Sequence, residues 1–495
     1  MKRCIALVLL LAAVPVLAWD PEVRLTENAY ADFSYWSCQR RVALDADGRI
    51  HVIWYVMNSD LGTYKFQVYY KRFNPGFGWS QDTMLSADLY AANTNNKYPA
   101  ICVDSSGRVV AAWGNDTSQD ADAYVYYKTC VPEGSGNGGW DSVSRRLSNP
   151  SVGFTRECPN LAATPDGHVH AVWLEVTPGG GRCVAYRELI DTTWQAQVNL
   201  DLSGNYKVYP AVAGGTDNSV HVVWHGRNSP SGFYDVWYKA RIDTTWGATE
   251  NVSSGVRHQM YPSIAINPVT NQPHVLWQGQ NGSSVERVVH AYRTAGGWQP
   301  RDTLSEPGLA YAQGTGQIAF TADGIGHAVW EGKSDSSTVV AQIRYSRRSA
   351  GGTWSAPANI TDTTYTRDHP SITNGGNSPA SNDLHVVWAD YRDGNSEIYY
   401  KHDSTRVGME EMVNGELTRV KGEAVIVRGS LFLPVSDFTL HYSLFSLSGQ
   451  KLLDLSPGAN DVHSLAPGVY FVMEYSVVSS QYSGPPAVTK VILAE

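Results

Sequence analysis

The stretch DLHVVWADYRDGNSEIYYK, residues 383–401, contains a pattern that recurs along most of this 495-residue chain. A short apolar run ends in a tryptophan, here Trp388, and the next run ends in a tyrosine, here Tyr400. The tryptophan motif recurs every 51 to 60 residues and ends at Trp54, Trp113, Trp173, Trp224, Trp277, Trp330 and Trp388. Self-similarity at such a period indicates a repeat architecture, in which each repeat is one small unit of secondary structure.

The residues around the motif predict four antiparallel strands in each repeat. Turn sequences such as DADG (45–48) and DSSG (104–107) separate two apolar runs, and Asp-Gly and Ser-Gly are hairpin signals. The third run ends in the recurrent tyrosine. A fourth run opens with tryptophan and closes with serine or threonine, as in WSQDTMLS (79–86). Seven such units predict an all-β fold, a seven-bladed β-propeller of four-stranded antiparallel blades, over residues 19–402.

The seventh repeat lacks a fourth strand of its own. The N-terminal segment WDPEVRLT (19–26) matches the fourth strand WSAPANIT (354–361) in length and spacing. We therefore expect the N-terminal segment to supply the outer strand of the last blade. Such a closure joins the two ends of the ring and leaves no open sheet edge.

The recurrent histidines are predicted to be structural rather than metal ligands. They are His51, His170, His221, His274, His327 and His385. Equivalent positions on stacked sheets lie about 10 Å apart, whereas a zinc–nitrogen bond is about 2 Å long. We expect their ring nitrogens to bond to turns or backbone, and the recurrent tryptophans and tyrosines to fill the widening space between blades.

Binding residues are expected on one face of the ring. The links between blades and the loops between second and third strands share that face, and loops on a rigid scaffold commonly carry function. The predicted ligand-binding residues are Lys97, Tyr98, Arg156, Glu157, Lys207, Tyr209, Tyr261, Arg367 and His369. Aromatic faces beside charged hydrogen-bonding groups suit a sugar or an acidic ligand. The alternative is that the tyrosines, and the prolines that follow them, only close the ring.

The loop that follows Trp388 contains a candidate calcium site. Its ligands would be Asp390, Asp393, Asn395 and Glu397. The acidic spacing resembles a Ca²⁺ loop, although Gly394 comes one position early and Arg392 interrupts the acids. The alternative is a hairpin loop whose aspartates cap their own backbone. No other cofactor is expected.

The four-strand unit with its tryptophan-led outer strand resembles the sialidase-like, or BNR-like, propeller superfamily across residues 19–402. Sialidases carry an Asp box, Ser-x-Asp-x-Gly-x-x-Trp, before the outer strand. Here the corresponding turns read NPGFGW, LIDTTW or SAGGTW, and none matches the box. Sialidases are also usually six-bladed, whereas this chain predicts seven blades.

The resemblance implies a set of catalytic residues. Sialidases bind the substrate carboxylate with three arginines and use an aspartate as acid/base and a tyrosine, assisted by a glutamate, as nucleophile. By loop position, the arginines would be Arg40, Arg156 and Arg367 and the acid Asp368. The nucleophile would be Tyr209 or Tyr261. The chain contains no Phe/Tyr-Arg-Ile-Pro arginine motif of the sialidase kind.

The N-terminal sequence MKRCIALVLLLAAVPVLA (1–18) has the basic start, apolar run and small-residue end of a secretory signal peptide. Its apolar run is too short to span a membrane, and no later segment is apolar enough to do so. The formal charge is −9, and removal of Lys2 and Arg3 with the signal peptide makes it −11. An acidic exported chain is a poor candidate for nucleic-acid binding.

Five cysteines follow the signal peptide, namely Cys38, Cys102, Cys130, Cys158 and Cys183. Their odd number leaves at least one unpaired, so the chain is not a disulfide scaffold. The pairing cannot be deduced from the sequence. A monomer is expected.

The C-terminal segment predicts a second, smaller domain. A polar linker, 403–416, precedes apolar alternation broken by LSGQ, SPGAND and APGVY, which predicts a small β-sandwich over residues 417–495. This domain resembles the C-terminal type IX secretion sorting domain. The matching pieces are LFSLSGQKL with Gly449, LAPGVYFV, and the terminal TKVILAE with Lys490. The resemblance implies passage across the outer membrane by the type IX machinery, and an extracellular or cell-surface location.

These features together predict an exported, surface-associated propeller that binds glycan or another extracellular polymer. A sialidase-like glycoside hydrolase and a structural surface or adhesion component remain the alternatives.

Overall fold

The fold was analysed in a computed structural model that includes side chains. It describes residues 19–34, 40–58, 65–75, 77–89, 94–117, 123–131, 139–201, 206–227, 229, 231–254, 257–280, 285–306, 311–333, 340–361, 365–374, 383–403, 425–427, 430–433, 440–446, 451–456, 458–462, 465, 468–478, 481–482 and 487–493. The predicted signal peptide, Cys38, residues 404–416 of the predicted linker, and Gly449 lie outside these residues. No helix within the described ranges is long and apolar enough to cross a membrane.

The chain divides into two compact units, and the larger one is Pro21–His402. It contains seven antiparallel sheets, which are the predicted blades. Blade 1 comprises Ala31–Phe33, Val42–Leu44, Ile50–Asn58, Lys65–Asn74, Gly78–Trp79 and Thr83–Met84, and is followed by a 3₁₀ helix, Ala87–Leu89. Blade 2 comprises Thr94–Val103, Val109–Thr117, Ala123–Val131, Gly139–Trp140 and Arg145–Arg146. Blade 3 comprises Thr155–Ala163, Val169–Val176, Arg182–Ile190, Thr193–Trp194 and Val198–Asn199.

The remaining blades repeat the same order of strands. Blade 4 comprises Lys207–Gly214, Val220–Gly226, Asp235–Ile242, Thr245–Trp246 and Glu250–Asn251. Blade 5 comprises Gln259–Ile266, Pro273–Gly279, Arg287–Thr294, Gly297–Trp298 and Asp302–Thr303. Blade 6 comprises Gln313–Phe320, Gly326–Gly332, Gln342–Arg348 and Ala358–Asn359. Blade 7 comprises Arg367–Asn374, Leu384–Asp390, Glu397–Asp403 and the N-terminal strand Val23–Arg24. The prediction of an all-β, seven-bladed propeller is confirmed.

The N-terminal strand closes the ring in the predicted register. Val23 pairs with Tyr400 and Arg24 pairs with Tyr399, antiparallel. The Leu25 N–H donates to the Ile398 carbonyl at 2.8 Å, and the Ile398 N–H donates to the Thr26 hydroxyl at 2.9 Å. In blade 1 the Leu85 N–H likewise donates to the Val68 carbonyl, and the Val68 N–H donates to the Ser86 hydroxyl. The N-terminal strand therefore pairs with blade 7 as an outer strand pairs within its own blade.

The recurrent histidines are structural, as predicted. In five blades the Nδ1 atom lies 2.6 to 2.9 Å from a tyrosine hydroxyl, in the pairs His51–Tyr70, His170–Tyr186, His221–Tyr238, His327–Tyr345 and His385–Tyr400. The other ring nitrogen reaches the first turn in several blades, for example Thr164 at 2.9 Å and Ser219 at 2.7 Å. Burial lowers the pKa of His170 to about 3 and that of His221 to about 4, so both rings are neutral at physiological pH.

The tyrosines and tryptophans fill the space between blades, as predicted. The third-strand tyrosine of one blade meets the outer-strand tryptophan of the next edge to face, with ring centroids 4.9 to 5.5 Å apart. The pairs are Tyr70–Trp140, Tyr127–Trp194, Tyr186–Trp246, Tyr238–Trp298 and, across the closure, Tyr400–Trp79. Each such pair contributes about 0.5–1.5 kcal/mol beyond the area that it buries.

The first strands surround a central cavity of about 230 Å³. Each blade contributes apolar lining, including Val42, Ile101, Ala162, Ala213, Ala265, Ile318 and Ile372. Arg40 of blade 1 also lines the cavity, and its Nη2 donates to the Val212 carbonyl of blade 4 at 3.4 Å. Desolvation lowers the pKa of Arg40. The side chains that line the channel are thus mostly aliphatic, and Arg40 extends from blade 1 to the backbone of blade 4.

The second unit contains the C-terminal strands. A six-stranded sheet comprises Val425–Val427, Leu440–Ser446, Lys451–Leu455, Gly468–Val478, Gln481–Tyr482 and Ala487–Leu493, and a two-stranded sheet comprises Ser430–Leu433 and Gly458–Asp461. The buried side chains Leu431, Leu444, Leu455, Val462 and Val472 form one apolar cluster. The sandwich arrangement and its 417–495 boundaries stay predictions.

Candidate ligand-binding face

A repeated β-bulge marks the face on which binding residues were predicted. In six blades the pairing of first and second strands shifts by one position near the start of the first strand. The bulged residues have positive φ angles of 47° to 57°, and they are Tyr98, Cys158, Tyr209, Tyr261, Thr315 and His369. Side chains other than glycine adopt this left-handed conformation at a cost of about 1–2 kcal/mol. Bulges bend the strand and re-aim its side chains at the rim of a sheet.

Four of these positions, Tyr98, Tyr209, Tyr261 and His369, were predicted from the sequence as ligand-binding residues, but the bulge was not predicted. The available signal was the proline after the bulged residue in five blades: Pro99, Pro159, Pro210, Pro262 and Pro370. Proline has no N–H to donate to a sheet ladder, so it is confined to positions where the ladder is interrupted. A row of five prolines at the same place in successive first strands therefore indicates a repeated interruption.

Three bulges are held by the preceding blade. The Tyr261 N–H donates to His225 Nδ1 at 3.0 Å, and the His369 N–H donates to Glu331 Oε2 at 3.0 Å. The Thr315 N–H donates to Gln278 Oε1 at 3.4 Å. Each acceptor directly follows the recurrent second-strand tryptophan of its repeat in the sequence. The bulges thus lock neighbouring blades together as well as shaping the face.

The three arginines of the predicted triad occupy separate sites, and Arg156 and Arg367 are buried. Arg156 is 1% exposed and its Nε donates to Glu175 at 2.8 Å. Arg367 is 0% exposed, and donates to Asp390 at 2.9 Å and Gln342 at 3.1 Å. Arg40 lines the central cavity. Each guanidinium therefore has protein acceptors, and the two ion pairs stabilise their own blades.

Comparison with the equivalent positions of other blades explains why Arg367 is buried. In blades 5 and 6 the corresponding residues are Gln259 and Gln313, and each accepts a hydrogen bond from the indole N–H of its blade's tryptophan at 2.7 Å. In blade 7 the Trp388 indole instead donates to Asp390, at 3.1 Å, which is the partner of Arg367. In blades 5, 6 and 7 the polar side chain at this position thus bonds to the tryptophan directly or shares a carboxylate with it.

Two of the other predicted charged residues, Lys97 and Lys207, form ion pairs. Lys97 lies 2.8 Å from Asp116 and 5.0 Å from the centre of the Tyr98 ring. Lys207 lies 3.8 Å from Asp201, and burial lowers its pKa. Burial raises the pKa of Glu157.

The four predicted calcium ligands bond to other protein groups. Asp390 accepts from Arg367 and Arg392, and Asp393 accepts from the Tyr399 hydroxyl at 2.7 Å. The Asn395 amide donates to the Asn28 carbonyl at 3.1 Å. Glu397, which is fully buried, accepts from Arg24 at 2.9 Å and from Thr26.

The bonds of Asn395 and Glu397 hold the N-terminal segment to blade 7, whereas those of Asp390 and Asp393 lie within the blade. The Arg392 N–H also donates to Asp390 Oδ1 at 3.0 Å, which is the backbone capping that the alternative interpretation predicted. Within the described residues, no group of three or more histidine, cysteine or acidic side chains is arranged to hold a metal ion.

Blade 7 also places an acid, a histidine and a tyrosine together. The Tyr391 hydroxyl donates to Asp368 Oδ2 at 3.1 Å, and His369 Nδ1 lies 3.0 Å from Asp368 Oδ1. Glu331 accepts the His369 N–H, and burial raises the pKa of Glu331. Tyr391 is 38% exposed, so this group opens to solvent.

Seven contacting rings on the face belong to blades 4 and 5. We call this set the blade 4–5 aromatic cluster, and its members are Tyr206, Tyr209, His225, Phe233, Tyr234, His258 and Tyr261. Neighbouring ring centroids lie 5.1 to 6.1 Å apart. Phe233 is 49% exposed at its rim, whereas His225 is buried at its base with a pKa lowered by desolvation to about 3.

Only Tyr209 and Tyr261 of this cluster were predicted from the sequence. Phe233 and Tyr234 come from the loop between second and third strands, Tyr206 and His258 from the ends of blade links, and His225 from the second strand of blade 4. The signal in the sequence was the dense run GFYDVWY, residues 232–238, at that loop. The structure brings it together with the two bulge tyrosines, because the links and these loops meet on one face.

The fold and this face define the class of protein: a seven-bladed β-propeller with an aromatic, cation-flanked surface at one end. The chain is similar in structure to an ulvan lyase described as a new family of polysaccharide lyase, with a TM-score of 0.52 and 11% sequence identity. The match covers 75% of this chain and 93% of that one. The same description applies to a structure bound to -[GlcA(1-4)Rha3S]-, with a TM-score of 0.50, 11% identity and coverage of 74% and 95%.

A lectin from Burkholderia pseudomallei is also similar, with a TM-score of 0.49, 13% identity and coverage of 74% and 96%. No family model and no curated protein sequence matches the chain. At these identities the likeness to the ulvan lyases shows a shared propeller fold, which agrees with the strand order described above.

Proposed function

We propose that this protein is an exported, cell-surface-associated propeller that binds glycan or another extracellular polymer on the bulged face. The observation that carries the proposal is the blade 4–5 aromatic cluster. Its rings form a continuous surface from the buried His225 to the half-exposed Phe233. Sugar rings present apolar C–H faces that pack on aromatic side chains, while the polar tips of tyrosine and histidine supply hydrogen bonds. The ulvan lyase bound to a saccharide supports a glycan as the ligand class at the level of the fold.

The test is binding of the purified full chain to an array of plant, algal, animal and bacterial glycans. We expect Phe233→Ala and Tyr234→Ala each to weaken binding by about tenfold, because each removes one stacking surface. The matched control is Phe77→Ala, which removes an aromatic ring that is 76% exposed in the turn after the third strand of blade 1. A chain that binds no glycan, or loses as much affinity in the control, would refute the proposal.

We further propose that residues 1–18 direct export and that residues 417–495 are recognised by the type IX secretion machinery. The support is the signal-peptide pattern and the three sequence pieces that resemble the sorting domain. Deleting 417–495 should leave the propeller in the periplasm, with its ligand binding intact after purification. Normal delivery of the truncated chain to the cell surface would exclude this role of the C-terminal domain.

A glycoside hydrolase is the second candidate, and the group around Asp368 favours it. A carboxyl group beside a tyrosine hydroxyl, with a second acid of raised pKa nearby, is suited to proton transfer. The test is turnover of a fluorogenic sialoside and of a wider panel of aryl glycosides. Activity lost in Asp368→Asn and kept in Asp47→Asn would establish it, since the Asp47 side chain is 69% exposed in a turn. Inactivity across the panel would exclude it.

A further inference from the structure

We propose that the blade 4–5 aromatic cluster selects glycans carrying an anionic group, a carboxylate or a sulfate, which Arg182 and Arg227 bind beside Tyr206. This inference rests on the proposed function and specifies its ligand class. Neither arginine belongs to the ring of residues that the sequence predicted. Arg182 begins the third strand of blade 3, and Arg227 follows the second strand of blade 4.

The two guanidinium groups both pack on the ring of Tyr206. The Cζ atom of Arg182 lies 3.8 Å from the centre of that ring, and its Nη2 donates to the Tyr206 hydroxyl at 3.1 Å. The Cζ atom of Arg227 lies 4.8 Å from the Tyr206 ring and 5.3 Å from the Tyr234 ring. Two cations are thereby held on one aromatic side chain at the edge of the cluster.

These cations lack the carboxylate partners that other arginines of the propeller have. Arg241 lies 2.7 Å from Glu188, and Arg293 lies 2.9 Å from Glu250. Among the described residues, no carboxylate oxygen lies within 4.0 Å of the guanidinium of Arg182 or Arg227. The Nε atom of Arg227 is buried and has no hydrogen-bond acceptor among the residues that the structure describes. Two adjacent positive charges without counter-ions repel each other, so an anion placed between them relieves that repulsion.

The nearby titratable groups do not supply an ion-pair partner to either arginine. Glu157 interacts electrostatically with both Lys97 and Arg182 without reaching ion-pair distance of Arg182. His258 packs against Tyr234, with ring centroids 5.3 Å apart. The local surface is therefore cationic, although the chain as a whole carries a formal charge of −9.

The backbone holds Tyr206 in position before any ligand arrives. Its φ angle is +55°, in the left-handed region, and its carbonyl accepts the Arg227 N–H at 3.1 Å. Gly226 makes this approach feasible, since a Cβ atom at that position would lie 2.8 Å from the Tyr206 carbonyl oxygen. A strained residue fixed by its surroundings is a feature of pre-organised binding sites.

The geometry accounts for an anionic saccharide better than for a neutral one. Guanidinium groups donate in a planar fork that matches carboxylate and sulfate oxygens, and stacking on a ring keeps them weakly hydrated. The rings of Tyr234 and Phe233 extend from the arginines toward the solvent and offer a surface for the sugar that carries the anion. Charge and stacking are thus combined within one surface.

The test is a comparison of three polysaccharides by calorimetry on the full chain: polygalacturonate for carboxylate, dextran sulfate for sulfate, and neutral dextran. We expect one of the anionic polymers to bind at least about tenfold more tightly than dextran, and the double variant Arg182→Gln/Arg227→Gln to remove that difference. The arm that binds identifies the anion. Arg146→Gln is the matched control, because Arg146 also stacks on a tyrosine, with its Cζ 4.1 Å from the Tyr124 ring.

The outcomes separate this inference from the proposed function. Equal binding of dextran and the anionic polymers, or full affinity in a folded double variant, overturns the anionic selectivity alone. If Arg146→Gln removes the preference for anionic polymers as fully as the double variant does, the selectivity is also overturned, because the preference then depends on the net charge of the protein. Binding of no polysaccharide overturns the proposed function and this inference together. Circular dichroism verifies that the variants fold, and Arg227→Lys, which keeps the charge and loses the fork, should recover only part of the affinity.

Discussion

Arg24 and Glu397, 373 residues apart in the sequence, form a 2.9 Å ion pair that fastens the N-terminal strand to the last blade. Glu397 is fully buried, and the side chain of Arg24 is 29% exposed. The same carboxylate accepts a hydrogen bond from Thr26, whose hydroxyl in turn accepts the Ile398 N–H. The closure of the ring therefore depends on one buried acid as well as on strand pairing.

Replacing that acid should weaken the closure. We expect Glu397→Gln to lower the free energy of unfolding by about 2–3 kcal/mol. The amide carries no negative charge to pair with Arg24, and its buried NH₂ group faces side chains that are themselves donors. Urea denaturation followed by tryptophan fluorescence measures the change. The control Arg145→Gln breaks a pair whose arginine is 60% exposed and should alter stability by less than about 0.5 kcal/mol. A Glu397→Gln variant as stable as the wild type would show that strand pairing alone closes the ring.

A second acid at the closure predicts a dependence of stability on pH. Asp32 is fully buried, and burial, together with the nearby Glu397, raises its pKa to about 8. The unfolded pKa of aspartate is about 3.9, so between roughly pH 4 and pH 8 the folded state binds a proton that the unfolded state has lost. Stability from this group is complete below pH 4 and falls as pH rises to 8.

The variant Asp32→Asn should remove that fall, since an amide stays neutral throughout. Thermal unfolding midpoints measured from pH 4 to pH 9 would then decline less in the variant than in the wild type. Asp47→Asn, at an exposed turn, should leave the wild-type slope unchanged. Parallel pH profiles of Asp32→Asn and the wild type would contradict the assignment.

The histidine–tyrosine bonds provide a third prediction with an internal control. Tyr238→Phe removes the hydroxyl that lies 2.6 Å from His221 Nδ1 and leaves a buried ring nitrogen without that partner. We expect a loss of about 1–3 kcal/mol in unfolding free energy. Tyr292 occupies the same place in blade 5, but there His274 bonds to His290 instead, at 2.9 Å. Tyr292→Phe should therefore cost little, and equal losses in the two variants would show that the bond is not the cause.

A fourth prediction tests the backbone beneath Tyr206. Gly226→Ala places a methyl group where a Cβ would lie 2.8 Å from the Tyr206 carbonyl, so Tyr206 and the arginines stacked on it must move. Affinity for the preferred anionic polysaccharide should fall by about tenfold, although residue 226 contributes no side chain to the ligand. Gly247→Ala in the same blade is the control, because its Cβ would have an ordinary 3.6 Å contact. Unchanged affinity in Gly226→Ala would argue against a pre-organised Tyr206.

Much of the architecture was predictable because its signals are local and repeated. The strand order, the seven blades and the closure by residues 19–26 follow from short motifs that every blade repeats. The pairing of His51 with Tyr70 shows the same principle, since the residues lie on adjacent strands 19 positions apart. Repetition averages out the ambiguity of any one short strand.

The candidate site was predictable only in part. Tyr209 and Tyr261 were identified from their places in the blade links, and both lie in the aromatic cluster. Tyr206, His225 and Tyr234 were missed, because they come into contact only when a blade link, a second strand and the loop that follows it pack together. The sequence has no periodic pattern that predicts these contacts.

The sequence alone thus determined the ring, the face and the kinds of residue that surround the channel mouth. Only the tertiary structure decided which of those residues are accessible. Arg156 and Arg367 precede bulges and are buried, because the second strand of each blade presents a carboxylate, Glu175 or Asp390, at their guanidinium groups. Arg182 and Arg227 have no such partner within the described chain and pack on Tyr206 instead. The physical reason is that the environment of an arginine depends on the charges that folding brings to it, and residue type and spacing do not specify them.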